Sequence, residues 1–158
     1  MPALKNTPSI EVKVKYLSSL LSGNEPEYAT AGSAGIDLPA CFEEDSLLIA
    51  AGDRVAVPTG MAIEIMTPGV AGFLFSRSGL GAKDGLTVSQ GVGVIDPDYR
   101  GEIIVNLLNT SNETREIFRG QRIAQLIFMP FHMARLIAVD ELSDTSRGAG
   151  GFGHTGKV

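Results

Sequence analysis

Five short stretches of this sequence combine residue types that can hold an anion or move a proton. Phe75-Ser76-Arg77-Ser78-Gly79-Leu80 offers a guanidinium, hydroxyls and backbone N–H groups to a single anion. The same run also reads as an ordinary turn. Gly91-Val92-Gly93-Val94-Ile95-Asp96-Pro97-Asp98-Tyr99-Arg100-Gly101-Glu102 carries Asp96, a candidate general base at a turn where aspartate also serves structure alone. Glycine before that turn lets a ligand approach the backbone closely, and Tyr99 reads either as core or as a platform for a ligand. Asp37 stands between apolar neighbours in Ala34-Gly35-Ile36-Asp37-Leu38, as a cap or the partner of a cation would. Gln125, in Arg119-Gly120-Gln121-Arg122-Ile123-Ala124-Gln125-Leu126, falls on the strand face of Ile123 and Ile127, a place that hints at a site or an interface. In Arg147–Gly156, five of ten residues are glycine, mixed with Arg147, Phe152 and His154. Such backbone can cradle phosphate oxygens, or it can be a plain linker. Gly151–Lys157 follows most of the G-x-x-x-x-G-K pattern, but Val158 replaces the hydroxyl that would hold Mg²⁺, and P-loop chemistry is rejected.

The elements that would position these groups are strands. Glycine supplies 19 of 158 residues and proline 8, with no tryptophan, a spacing of breakers that long helices do not tolerate. Ile10, Val12, Val14 and Tyr16 alternate with Glu11, Lys13 and Lys15, and Met61, Ile63 and Ile65 alternate with Ala62 and Glu64. Val55 and Val57 flank Ala56 in the same way. Fuller apolar runs at Ile103–Leu108, Ile123–Met129 and Leu136–Val139 predict strands covered on both faces. Turn signals separate them at Pro58-Thr59-Gly60, Pro68-Gly69, Asp84-Gly85, Asp96-Pro97-Asp98 and Asn109–Asn112. The flanking runs Leu86–Ser89 and Ile103–Leu108 predict a hairpin around Asp96, and Ser78–Lys83 predicts one short helical turn. This pattern argues for an all-β sandwich or barrel. The length suits about one domain, burying roughly 70% of its unfolded surface. We expect a compact body over residues 1–142 and a flexible glycine-rich tail over 143–158.

Composition narrows the function. A hydrophobic fraction of 44% with 20% charged residues excludes disorder along the whole chain. No apolar run approaches the ~18 residues of a membrane span, and Met1–Ile10 lacks the pattern of a secretory signal. One cysteine, Cys41, cannot form an internal disulfide, and with His132 and His154 it cannot close a zinc site; a reducing, cytoplasmic location is expected. A net charge of −5 argues against nucleic acid as a partner. Any anion must therefore be met by a local group of arginines, backbone N–H groups or a metal ion.

Taken in order, AGIDL, SRSGL, GVIDPDYRGE, RGQRIAQL and RGAGGFGHTG resemble the five motifs of the trimeric dUTP diphosphatases, spanning Ala34–Gly156. The resemblance implies a distorted jelly-roll or β-clip subunit in a homotrimer, with each site at a subunit interface and a neighbour's C-terminal tail closing over it. It implies hydrolysis of dUTP to dUMP and pyrophosphate with Mg²⁺, which keeps uracil out of DNA and supplies dUMP for thymidylate synthesis. By position, Asp96 matches the base that activates the attacking water, and Tyr99 the aromatic under the deoxyribose that leaves no room for a 2′-hydroxyl. Backbone between Gln90 and Ile104, including Gly93, Val94 and Ile95, would bond the uracil edge. Arg77, Ser78 and Gly79 would hold the phosphates with Gln125 beside them, and Asp37 would help place the metal's water shell. No direct protein ligand to the metal is implied; Asp37 and Gln125 would reach it through water. Arg147 would reach the terminal phosphate, Phe152 would stack on the uracil, and Gly153 and His154 would complete the tail contacts.

Three positions depart from the motifs. Gln90 stands where many relatives have asparagine, His154 where serine is common, and Gln121 where an acid is common. Imidazole donates to phosphate best when protonated, so His154 predicts acid sensitivity of KM. Two alternatives stand beside the diphosphatase. A dCTP deaminase of the same architecture is expected to lack an arginine-bearing GGFG tail and to carry a central glutamate base. A non-catalytic binding module would have no use for Asp96, Arg77 and Phe152 together.

Overall fold

The computed structural model describes residues 9–23 and 25–151. Along the chain run β1 (Val12–Tyr16), β2 (Glu27–Tyr28), β3 (Ile36–Pro39), β4 (Ser46–Ile49), β5 (Arg54–Pro58), β6 (Met61–Ile65), β7 (Val70–Ser76), β8 (Leu86–Val88), β9 (Gly93–Ile95), β10 (Ile104–Asn109), β11 (Arg115–Phe118) and β12 (Arg122–Pro130). The helical content is a 3₁₀ turn at Ser19–Leu21 and a wide π-type turn at Leu80–Asp84, the latter overlapping the helical turn expected at Ser78–Lys83.

Every strand pair is antiparallel, as turn-rich short strands require. The strands form four sheets: β1 with β6, β4 with β11, β5-β10-β8, and the five-stranded β2-β3-β12-β7-β9. The longest strand, β12, runs between β3 and β7 at the middle of the large sheet. Both its faces are covered at Ile123, Ala124 and Leu126, as its unbroken apolar run predicts.

The core centres on Leu38, Val57, Ile103, Val105, Leu107, Ile117 and Ile123, each with no exposed surface, and takes in the β1–β6 sheet through Met61, Ile63 and Ile65. Two polar side chains are equally buried, and both are satisfied. Thr59 donates to the Ile103 carbonyl at 2.6 Å. Asn109 donates to the carbonyls of Ile49 and Glu113 at 2.8 and 2.7 Å and accepts from Ser111, tying β4 and β10 to the turn before β11. An unpaired amide there would lose its water without replacement, so this network fixes the loop as well as the core.

Three expectations change. β10 alternates instead of being covered on both faces: Val105, Leu107 and Asn109 are buried while Ile104 and Asn106 are exposed, because one face of the β5-β10-β8 sheet lies open. Leu136–Val139 forms no strand and is exposed, Leu136 to 92%: four apolar residues that pair with no strand among the described residues. Val14 and Tyr16 are likewise exposed, since β1 pairs with β6 alone.

Candidate active site

The two runs predicted to flank Asp96 do pair, β8 with β10, but the segment just before Asp96 leaves their ladder, and that departure makes the site. The β8/β10 ladder extends as far as the bond from Ser89 N–H to the Asn106 carbonyl at 2.8 Å. Beyond it the chain splays away, and β9 pairs with β7 in the large sheet while β10 stays with β5 and β8. The strands flanking Asp96 thus belong to different sheets. A cavity of about 210 Å³ occupies the space where they part.

Gln90, Gly93, Val94, Ile95, Asp96, Tyr99 and Ile104, all named from the sequence, line that cavity together. Gly93 is required by close approach: a Cβ there would stand 3.1 Å from Leu74 Cδ1 and 3.2 Å from Gln90 Nε2. The wall is therefore main chain packed hard against side chains, a rigid surface for reading a ligand edge. Asp96 opens a turn closed by Tyr99 N–H to the Asp96 carbonyl at 3.1 Å. Among the described residues no hydrogen bond engages its carboxylate, which is exposed at the cavity mouth. Tyr99, 44% exposed, is a surface aromatic and not core; its hydroxyl donates to the Glu102 carbonyl at 2.9 Å. The ring lies over Gly101, where a Cβ would collide with the Tyr99 hydroxyl and ring.

A second group of named residues meets on the large sheet. Asp37 on β3 is 8% exposed and faces two guanidinium groups. Arg77, just past β7, donates from Nε to Oδ1 at 2.9 Å and from Nη2 to Oδ2 at 3.3 Å. Arg122 on β12 donates from Nη1 to Oδ2 at 2.9 Å. Asp37 thus commits both oxygens to arginines. Gln125 pairs in register with Asp37, and its Nε2 donates to the Ser76 carbonyl at 3.1 Å. Ser78 and Gly79 are exposed beside Arg77, and a Cβ at Gly79 would meet nothing within 4 Å. Two guanidinium groups against one carboxylate leave a single positive charge at this end. It is the arrangement expected of an anion subsite.

Residues 22–156 match the protein family described as dUTPase. The chain belongs to the dUTPase family. It is similar to the deoxyuridine 5'-triphosphate nucleotidohydrolase of Desulfitobacterium hafniense, 47% identical over 94% of this chain and 97% of that one. Among solved structures, the dUTPase of Streptococcus mutans has a TM-score of 0.66 at 33% identity, covering 78% of this chain and 98% of that one. The dUTPase of Staphylococcus bacteriophage 80alpha with dUPNHPP has a TM-score of 0.79 at 26% identity, covering 92% of this chain and 98% of that one. The fold is of the jelly-roll type, as the motif resemblance implied.

Within this dUTPase-family chain two groups went unread in the sequence. Glu102 lines the cavity, and its Oε1 accepts the Gly60 N–H at 2.8 Å, tying the cavity floor to the β5–β6 turn. Its signal was its place at the end of the Asp96 motif. Arg122 was visible only as part of a motif and carried no assigned role. Of the tail residues named from the sequence, only Arg147 is described, and it is not gathered in. Arg147 donates from Nε to the Gly150 carbonyl at 2.9 Å, within its own turn, and does not line the cavity. Phe152, Gly153 and His154 lie outside the described residues.

Proposed function

We propose that this chain hydrolyses dUTP to dUMP and pyrophosphate by attack of water on the α-phosphorus, with Asp96 as the base. The observation that carries the reading is the convergence of seven residues named from the resemblance, five of them within one motif, on one cavity at the seam between sheets, in a chain of this family. Asp96 stands at the cavity mouth with its carboxylate free to take a proton from water, a step worth typically 10²–10⁴-fold. Main chain from Gln90 to Ile104, including Gly93, Val94 and Ile95, reads the uracil edge. A pocket gains only about 1–3 kcal/mol by favouring one methyl group over none. Exclusion of thymine therefore needs a wall that cannot yield, and the backbone packed around Gly93 supplies one. The Tyr99 ring lies under the deoxyribose and fills the space of a 2′-hydroxyl.

Arg77, Ser78, Gly79 and Gln125 hold the triphosphate. Mg²⁺ would be held by the substrate's phosphate oxygens, with Asp37 and Gln125 reaching it through water; among the described residues Asp37 Oδ1 accepts a single bond, from Arg77, and so keeps a lone pair for such a water. When bound it would neutralise phosphate charge and polarise the phosphorus. Arg147 reaches the terminal phosphate and Phe152 stacks on the uracil, with Gly153 and His154 beside them. All four come from a neighbour's tail, residues 143–158, that closes over the site and excludes water.

A homotrimer is part of the reading. Met133, Leu136, Ile137, Val139 and Leu142 are each at least 60% exposed after β12, and Val14 and Tyr16 are exposed on β1. So much apolar surface on one chain fits burial against further copies. A cytoplasmic location also belongs to it, where dUTP and the free thiol of buried Cys41 are both at home. Glu102 in the cavity gives the deaminase alternative its one supporting observation, but its carboxylate is already tied to Gly60.

The deciding experiment measures pyrophosphate and ammonia from dUTP, dTTP, dCTP and UTP, each with Mg²⁺ and with chelator. Metal-dependent pyrophosphate from dUTP alone is expected. Ammonia from dCTP would turn the reading to a deaminase, and inertness toward all four would leave a binding module. Solution mass should be three times 16.7 kDa, and an active monomer would remove the shared site.

A further inference from the structure

We infer that Arg122 is a positioning residue for the reaction, fixing the guanidinium of Arg77 through Asp37. The inference rests on the reading that Arg77 binds the triphosphate. β12 carries a register shift between Arg122 and Ala124: Arg122 sits opposite Pro39, Ala124 opposite Leu38 and Gln125 opposite Asp37. In a regular strand Arg122 and Gln125, three residues apart, would point to opposite faces. The inserted residue, Ile123, cancels that alternation and brings Arg122 onto the face of Gln125 and Asp37. Re-aiming one side chain is what a bulge does in a sheet.

The re-aimed Arg122 touches the pair at two points. Its Nη1 donates to Asp37 Oδ2 at 2.9 Å, and its carbonyl accepts Arg77 Nη1 at 3.3 Å. Arg77 therefore has Nε and Nη2 on Asp37 and Nη1 on Arg122, one bond from each nitrogen. A guanidinium has five N–H donors, so two remain for a phosphate, and their direction follows from the three already placed. The carboxylate that sets this plane would itself be free to turn without a second cation, since its side chain is 11% exposed and has little water to hold it. Arg122, with a side chain 55% exposed, is held in place by Asp37 and does not need burial.

The test compares dUTP turnover with dUMP binding, because dUMP fills the nucleoside cavity without a polyphosphate. Arg122→Gln should raise KM for dUTP roughly tenfold or more, the worth of a hydrogen bond to a charged group, while the dUMP Kd stays at the wild-type value. Arg122→Lys, which keeps a cation within reach of Asp37, should recover most of the loss. In an Arg77→Ala background, Arg122→Gln should add nothing, because its effect passes through Arg77. Equal loss of dUTP and dUMP binding would make Arg122 a scaffold residue, and additive losses would make it a direct phosphate ligand; either overturns the inference. Arg122 variants with wild-type KM beside a crippled Arg77→Ala overturn the inference alone. Full dUTP affinity in Arg77→Ala overturns the phosphate reading and the inference together.

Discussion

The two ends of the candidate site are built by opposite means. At the phosphate end, side chains do the work on the three adjoining strands β3, β12 and β7, and their geometry is set by ion pairs with a nearly buried carboxylate. At the nucleoside end, main chain does the work in a segment that has left one sheet for another, and its geometry is set by close packing at Gly93 and by bonds to carbonyls. The difference follows from the ligands. A polyphosphate is a diffuse charge, and an arginine meets it well only if something holds the fork still. A base is a flat pattern of donors and acceptors with one methyl at issue, and rigid backbone reads that better than side chains that can turn aside.

The largest effect should come from the one group that belongs to neither scheme. Asp96 is exposed at the cavity mouth, and its carboxylate has no hydrogen-bond partner among the described residues. Asp96→Asn keeps its shape, so dUMP and a non-hydrolysable dUTP analogue should bind as to wild type while turnover falls about 10²–10⁴-fold. Loss of binding together with turnover would make Asp96 part of the nucleoside wall and not a group apart from both ends. Next in size, truncation after Leu142 removes Arg147, Phe152 and His154 and should leave a folded protein with severely reduced kcat/KM. Thermal melting and solution mass check that the fold is kept. Full activity in the truncated chain would place the whole site within the body.

Gly101→Ala sharpens the comparison from the nucleoside side. The added Cβ collides with the Tyr99 ring and hydroxyl, which must shift away from its bond to the Glu102 carbonyl. Discrimination of dUTP over UTP, measured as a ratio of kcat/KM, should fall by roughly tenfold, the worth of a misplaced steric wall. Affinity for inorganic triphosphate should not change, because the arginine end lies on other strands. Unchanged sugar selectivity would remove Tyr99 from that role.

Much of this architecture was legible in the chain, and what was not has a common cause. β1, β5, β6 and β12 follow from alternation or an apolar run, and glycines at positive φ, Gly60, Gly69 and Gly85, stand at three predicted turns. β4 and β11 went unnamed, because four residues are too few to show a period. Pairing was less legible still. Leu86–Ser89 and Ile103–Leu108 read as a hairpin around Asp96, and β8 and β10 do pair, yet β9 between them pairs with β7, where Ile95 lies against Gly72. The seven cavity residues came from motif resemblance, which carries tertiary information that period and composition lack. Arg122 shows the limit most clearly: strict alternation puts it on the wrong face, and only the bulge at Ile123 brings it to Asp37.

The smallest effect tests whether the nucleoside end has an electrostatic brace of its own. Arg100 donates from Nη1 to the carbonyls of Pro97 and Tyr99 at 2.7 and 3.0 Å, gripping the Asp96 turn, and its Nη2 reaches Glu64 Oε1 at 3.5 Å. Lys13 meets the other oxygen of Glu64 at 3.1 Å. Lys13 first, then Arg100, holds the Glu64 carboxyl below its ordinary value of 4.5. A carboxyl lowered on folding contributes above its unfolded value and loses that contribution as pH falls through the folded one. The brace is therefore complete at neutral pH and fades only below about 4.5. Because these groups are exposed and screened by salt, Glu64→Gln should lower kcat at pH 7 by about twofold at most, with the deficit shrinking at high salt. Should the loss approach that of Asp96→Asn, the turn would depend on charge as heavily as the phosphate end does, and the contrast between the two ends would collapse.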